Sequence, residues 1–171
     1  NGAMQIGWEL IDGKWFYFNA GGHIHTGWLQ LGDSWYYLAE NGEMHTGWLL
    51  LGNTWYYMNE GGAMQTGWLL LGNTWYYLGD SGAMQTGWQY IGNTWYYFSG
   101  GAMQTGWLYQ GGTWYYLAEG GNMVTGWQYV GSSWYYFNNG GNMATGWLLL
   151  GNTWYYLASG GNMLTDWQYI S

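Results

Sequence analysis

Thr66-Gly67-Trp68-Leu69-Leu70-Leu71-Gly72-Asn73-Thr74-Trp75-Tyr76-Tyr77-Leu78 reads as Thr-Gly-Trp, a short apolar run, a Gly-Asn turn, then Trp-Tyr-Tyr-Leu. The rest of the chain is this stretch repeated. Its first Trp recurs at Trp8, Trp28, Trp48, Trp68, Trp88, Trp107, Trp127, Trp147 and Trp167, at a step of 20 residues, or 19 from Trp88 to Trp107. The second Trp follows seven residues later, at Trp15, Trp35, Trp55, Trp75, Trp95, Trp114, Trp134 and Trp154, and the two sets account for all 17 tryptophans. A fixed period near twenty residues marks a solenoid or array. Each repeat then buries its apolar surface on its neighbours, not in one globular core.

Counting from the first Trp as zero, offsets 4 and 5 hold Asp12-Gly13, Gly32-Asp33, Gly52-Asn53, Gly72-Asn73, Gly92-Asn93, Gly111-Gly112, Gly131-Ser132 and Gly151-Asn152. Each is a dipeptide of a two-residue β-hairpin, whose central residues need positive φ. The runs on either side are rich in Trp, Tyr, Leu and Ile, as strands prefer. The turn sets the register: Leu71 opposite Thr74, Leu70 opposite Trp75, Leu69 opposite Tyr76, Trp68 opposite Tyr77. Strand alternation then places Trp68, Leu70, Trp75 and Tyr77 on one face, and Leu69, Leu71, Tyr76 and Leu78 on the other. Offset 3 is aliphatic (Ile11, Leu31, Leu51, Leu71, Ile91, Val130, Leu150, Ile170) apart from Gln110, and offset 10 is Phe18, Leu38, Met58, Leu78, Phe98, Leu117, Phe137 or Leu157. That second face is the expected core. Gly-rich connectors link the hairpins and carry Ile24, Met44, Met64, Met84, Met103, Met123, Met143 or Met163 at offset 16. The residue missing from the 19-residue step falls in a connector, at Phe98-Ser99-Gly100-Gly101, and is expected to leave the strands intact. The expected fold is all-β, a solenoid of stacked β-hairpins. Residues 1–171 form one module of eight repeats and a partial ninth.

Charge narrows the function. Aromatic residues make up 23% and charged residues 6%, against about 25% charged in average proteins. Lys14 is the only Lys or Arg, set against nine carboxylates, for a formal net charge of −8. That argues against nucleic acid as a partner, since phosphates are held by Lys and Arg, and it favours cationic ligands. Cysteine is absent, so disulfides and thiolate metal sites are excluded. No signal peptide and no run of 18 apolar residues occurs, so membrane insertion is not expected. The chain begins inside a repeat, at Asn1-Gly2-Ala3-Met4, which points to a piece of a longer protein whose catalytic domain, if any, lies elsewhere. His23, His25 and His45 could enter a metal or catalytic site with Asp33 or Glu43. His23 and His25 are two apart and point opposite ways on an extended segment, so they read as solvated loop residues. The expectation is a binding module with no metal and no cofactor.

Packing alone is one reading of the aromatic face. Two indoles and a phenol with few charges nearby also resemble the aromatic cages that hold quaternary ammonium groups. The pattern Gly-Trp-x6-Trp-Tyr-Tyr-x4-Gly-x-Met-x-Thr is similar to the choline-binding repeat of pneumococcal and phage surface proteins, over the whole chain. The resemblance implies a left-handed solenoid, secreted to the bacterial cell surface, that binds choline or phosphocholine on teichoic acid. It implies cages of two Trp from one hairpin, a Tyr from the next and an apolar closing residue. Taking the Tyr from the Trp face of the following repeat, the expected cages are Trp8, Trp15, Tyr37 and Ile24; Trp28, Trp35, Tyr57 and Met44; Trp48, Trp55, Tyr77 and Met64; Trp68, Trp75, Tyr97 and Met84; Trp88, Trp95, Tyr116 and Met103; Trp107, Trp114, Tyr136 and Met123; and Trp127, Trp134, Tyr156 and Met143. An eighth pair, Trp147 and Trp154 with Met163, has no following Tyr. Phe16 in place of Tyr, Ile24 in place of Met and Asp166 in place of Gly depart from the pattern.

Glucan-binding repeats of secreted glucosyltransferases are also similar, so carbohydrate binding is the alternative, and a purely adhesive solenoid a third reading. The partial repeat Trp167-Gln168-Tyr169-Ile170-Ser171 ends without its second strand. An exposed aromatic end and an unpaired strand suggest a weak homodimer through residues 147–171, or a tail folded back as a cap.

Overall fold

The computed structural model describes residues 4–165; residues 166–171, where part of the dimer expectation falls, lie outside them. The chain divides into two compact units, Asn1–Gln85 and Thr86–Ser171. Both are built of antiparallel hairpins, and no helix occurs among the described residues. The first unit holds β1 (Gly7–Ile11) with β2 (Lys14–Phe18), β3 (Gly27–Leu31) with β4 (Ser34–Leu38), β5 (Gly47–Leu51) with β6 (Thr54–Met58), and β7 (Gly67–Leu71) with β8 (Thr74–Leu78). The second holds β9 (Gly87–Ile91), β10 (Thr94–Ser99) and the short β11 (Ala102–Met103) in one sheet. Its other pairs are β12 (Gly106–Gln110) with β13 (Thr113–Leu117), β14 (Gly126–Val130) with β15 (Ser133–Phe137), and β16 (Gly146–Leu150) with β17 (Thr153–Leu157).

The register is the one the turns dictate. Trp68 pairs with Tyr77, Leu69 with Tyr76, Leu70 with Trp75 and Leu71 with Thr74, and the other hairpins repeat it. Both turn residues take positive φ at Asp12-Gly13 (51° and 78°) and Gly92-Asn93 (56° and 64°), as type I′ turns require. At Gly52-Asn53 and Gly72-Asn73 only the glycine does, at 61° and 59°, which matches type II′. Each sequence therefore selects a turn whose twist suits a hairpin.

Within each unit the hairpins stack front to back. The face bearing Trp107 and Tyr116 meets the opposite face of the next hairpin, with Phe137 5.8 Å from Trp107 and 6.3 Å from Tyr116 between ring centroids. This contact explains the core. Offset 10 is sealed at Leu38, Met58, Leu78, Leu117, Phe137 and Leu157, all 0% exposed, and at Phe98, 1%. Each such burial is worth about 1.5–3 kcal/mol.

A backbone bond links successive repeats. The N–H of the connector methionine donates to the carbonyl of the second Trp of the preceding hairpin: Met44 to Trp15 (2.8 Å), Met64 to Trp35 (2.7 Å) and Met84 to Trp55 (2.8 Å) in the first unit. Met123 to Trp95 (2.8 Å), Met143 to Trp114 (2.8 Å) and Met163 to Trp134 (2.7 Å) repeat it in the second. Elsewhere the connector returns to its own hairpin by a single bridge, as at Leu117↔Met123. The 19-residue step tightens that return. Phe98↔Met103 and Ser99↔Ala102 pair across Gly100 and Gly101, both at positive φ (56° and 88°). The shortened connector thus adds a strand and extends β10, leaving the pairing of β9 with β10 in register.

Candidate binding site

The strands aim two indoles of each hairpin at one another. Trp28 and Trp35 lie 6.1 Å apart between centroids at 87°. Trp88 and Trp95 lie 6.4 Å apart at 88°, and Trp107 and Trp114 6.1 Å apart at 90°. Each pair makes a two-walled corner. Trp35, Trp95 and Trp114 stay 38%, 42% and 42% exposed, so the corner remains open to a ligand.

The third wall corrects the sequence reading. Tyr37, Tyr57, Tyr77, Tyr97, Tyr116, Tyr136 and Tyr156 pack against the first Trp of their own hairpins, 5.0–5.3 Å between centroids. The ring that reaches back to the preceding hairpin is the tyrosine one residue earlier: Tyr36 to Trp8 (5.1 Å), Tyr56 to Trp28 (5.1 Å) and Tyr76 to Trp48 (5.0 Å) in the first unit. Tyr115 to Trp88 (4.9 Å), Tyr135 to Trp107 (4.8 Å) and Tyr155 to Trp127 (5.0 Å) do so in the second. Front-to-back stacking is the cause. The Trp face of one hairpin meets the other face of the next, where offset 8 lies.

The methionine is corrected too, by one repeat. The Trp28–Trp35 corner is closed by Met64, not Met44. The Trp88–Trp95 corner is closed by Met123, not Met103, and the Trp107–Trp114 corner by Met143, not Met123. The backbone bond from each methionine to the preceding Trp carbonyl brings it there. In the first hairpin Met44 likewise bonds Trp15, while Ile24 and Phe16 both sit against Gly42.

Cavities result of about 320 Å³ at Trp28, Trp35, Tyr56 and Met64, about 370 Å³ at Trp88, Trp95, Tyr115 and Met123, and about 370 Å³ at Trp107, Trp114, Tyr135 and Met143. A further repeat completes each rim, with Asp80-Ser81, Asn139-Gly140 and Ser159-Gly160 respectively. These rim residues escaped the sequence reading, although their fixed separation of 16 residues from the methionine was available in the period. Asn142 Nδ2 donates to the Tyr115 hydroxyl at 3.2 Å and holds that wall. Glycine at offset 14 holds the methionine: a Cβ on Gly82 would fall under 3.0 Å from the Met64 sulfur, and one on Gly141 equally close to Met123.

Lys14 lies apart from these corners, 2.6 Å from Glu43 in an ion pair. His25 and His45 serve the backbone, each with Nε2 2.9 Å from a Trp carbonyl, of Trp28 and Trp48. Among the described residues no three His, Cys, Asp or Glu side chains cluster as metal ligands. Chemically, each cavity offers π-faces, a polarizable thioether and no cationic side chain in its lining. Such a site attracts a soft cation.

The choline-binding repeat family model matches residues 5–47, 45–86, 85–125 and 124–167. Among solved structures, choline binding protein F of Streptococcus pneumoniae is 40% identical at a TM-score of 0.86, covering 94% of this chain and 58% of its own. That protein has also been solved in the presence of a peptidoglycan analogue and in complex with ipratropium. CbpJ of the same species is 35% identical (TM-score 0.76, 97% of this chain and 83% of that one). The choline-binding domain of pneumococcal CbpL is 33% identical (TM-score 0.71, 94% and 87%). The chain therefore spans little more than half the length of protein F. A search of curated protein sequences gave no match.

Proposed function

Because the chain belongs to the choline-binding repeat family, we propose that its aromatic cavities take the choline headgroups of teichoic acid and hold the protein at the bacterial cell wall. The observation that carries this reading is the recurrence of one build, two perpendicular indoles with a tyrosine edge and a methionine, in both units. A trimethylammonium group presents a charge too diffuse for hydrogen bonds, and aromatic faces bind it by cation–π attraction of about 0.5–1 kcal/mol per ring when exposed and about 2 when desolvated. Three rings give roughly 1.5–6 kcal/mol before the cost of association, so one cavity binds choline no tighter than on the order of millimolar. A polymer carrying many cholines engages several cavities at once, and avidity then adds roughly 10²–10⁴. The net charge of −8 draws the cation in and the absence of Arg leaves it unopposed. Isothermal titration with choline and, separately, with an isomalto-oligosaccharide tests the reading. Saturable millimolar binding of choline, with no heat from the glycan, is the expected result. Heat from the glycan alone would replace choline by carbohydrate as the ligand.

A further inference from the structure

The cavities share their aromatic walls and differ at the rim. One backbone turn supplies the rim each time. In the first unit Gly79 N–H donates to Ala83 O (2.9 Å) and Gly82 N–H to Gly79 O (2.8 Å), which puts Asp80 at the turn tip beside Trp28, Trp35 and Met64. In the second unit Asn138 and Asn142 close the same turn (2.9 Å) with Asn139 at its tip, and Ala158 and Asn162 close it (2.9 Å) with Ser159. The backbone is the same, but the tip is an anion in one cavity and a neutral amide or hydroxyl in the other two. Lys14, the chain's one Lys or Arg, is paired with Glu43, so no such side chain neutralises Asp80.

We propose that the turn-tip residue sets the charge selectivity of each cavity: Asp80 makes the Trp28–Trp35 cavity favour the choline cation over phosphocholine, while the Asn139 and Ser159 cavities accept both. This rests on the choline reading given above. A quaternary ammonium in the corner is attracted by the rim carboxylate. A phosphate attached to the same choline leaves the corner through the rim and meets that carboxylate as a like charge. At several ångströms in a solvated rim, one such repulsion changes binding about three- to tenfold, and salt weakens it because the charges are exposed. A neutral rim exacts no such penalty and can donate a hydrogen bond to phosphate.

Each cavity has its own reporter, since one methionine closes each. The full chain labelled with ¹³C at the methionine methyls is titrated with choline and with phosphocholine, and Met64, Met123 and Met143 are assigned by single replacement with leucine. The ratio of the phosphocholine to the choline Kd is expected to be about three- to tenfold higher at Met64 than at Met123 and Met143 at low salt, and to converge in high salt. Asp80→Asn brings the Met64 ratio down to that of Met123, and Asn139→Asp raises the ratio at Met123. Equal ratios at the three methyls, or a Met64 ratio unmoved by Asp80→Asn, would overturn the proposal. If choline shifts none of the three methyls, the choline reading itself fails and the selectivity falls with it.

Discussion

Two adjacent tyrosines serve different hairpins. Tyr116 packs on Trp107 of its own hairpin at 5.2 Å, and Tyr115 reaches Trp88 of the preceding one at 4.9 Å. Tyr115→Ala should therefore remove the third wall of the Trp88–Trp95 cavity and lower the number of cholines bound by one in equilibrium dialysis. Its effect on folding should be about 0.5–1.5 kcal/mol beyond lost area, the worth of an aromatic pair. Tyr116→Ala should instead disturb the Trp107–Trp114 cavity. The chemistry of these walls was legible in the sequence: two Trp, a Tyr and a Met per site. Their grouping was not. A contact repeated head to tail joins two different surfaces of the repeat, so a Tyr on the Trp face was the wrong one to carry forward. The methionine was misplaced because its link to the previous hairpin is a backbone bond, invisible in side-chain pattern. Glycine at offset 14 gives a second residue-scale test. Gly141 has φ of 80° and lies against Met123, so Gly141→Ala should lower stability by about 1–3 kcal/mol. Urea denaturation measures that loss, and the Met123 methyl resonance should move with it.

A single hairpin has too little apolar surface to stand alone in water, and from β3–β4 onward the position these hairpins seal most completely is offset 10. Leu117 of β13 is 0% exposed, while Leu149, on the Trp-bearing face of the β16–β17 hairpin, is 48% exposed. Leu117→Ala should destabilise by about 2–5 kcal/mol through the cavity it leaves. Leu149→Ala should stay within about 0.5 kcal/mol, as surface substitutions do. Thermal unfolding of the two variants side by side checks the contrast. At this scale the sequence was most informative. Eight turn dipeptides fixed strand pairing to the residue, because a two-residue loop leaves no freedom of register. The short connector leaves the pairing of β9 with β10 in register, as the sequence implied, but the extension of β10 to Ser99 and its pairing with Ala102 and Met103 depended on loop length in space.

Across the whole chain, the proposed function comes from repetition of a weak site. A ligand that needs walls from successive repeats binds folded and not unfolded chain, so it stabilises by mass action. At about 100 times Kd each occupied site adds roughly 2.7 kcal/mol. The proposed attraction is to charge on a π-face and not to shape alone. The most direct measurement of that claim is the thermal midpoint of the intact chain in tens of millimolar choline, against the same concentration of 3,3-dimethylbutan-1-ol, in which a neutral tert-butyl group replaces the trimethylammonium. The account predicts a clear rise in the midpoint with choline and a much smaller one with the neutral alcohol. An unchanged midpoint in choline, or equal rises with both, would contradict it.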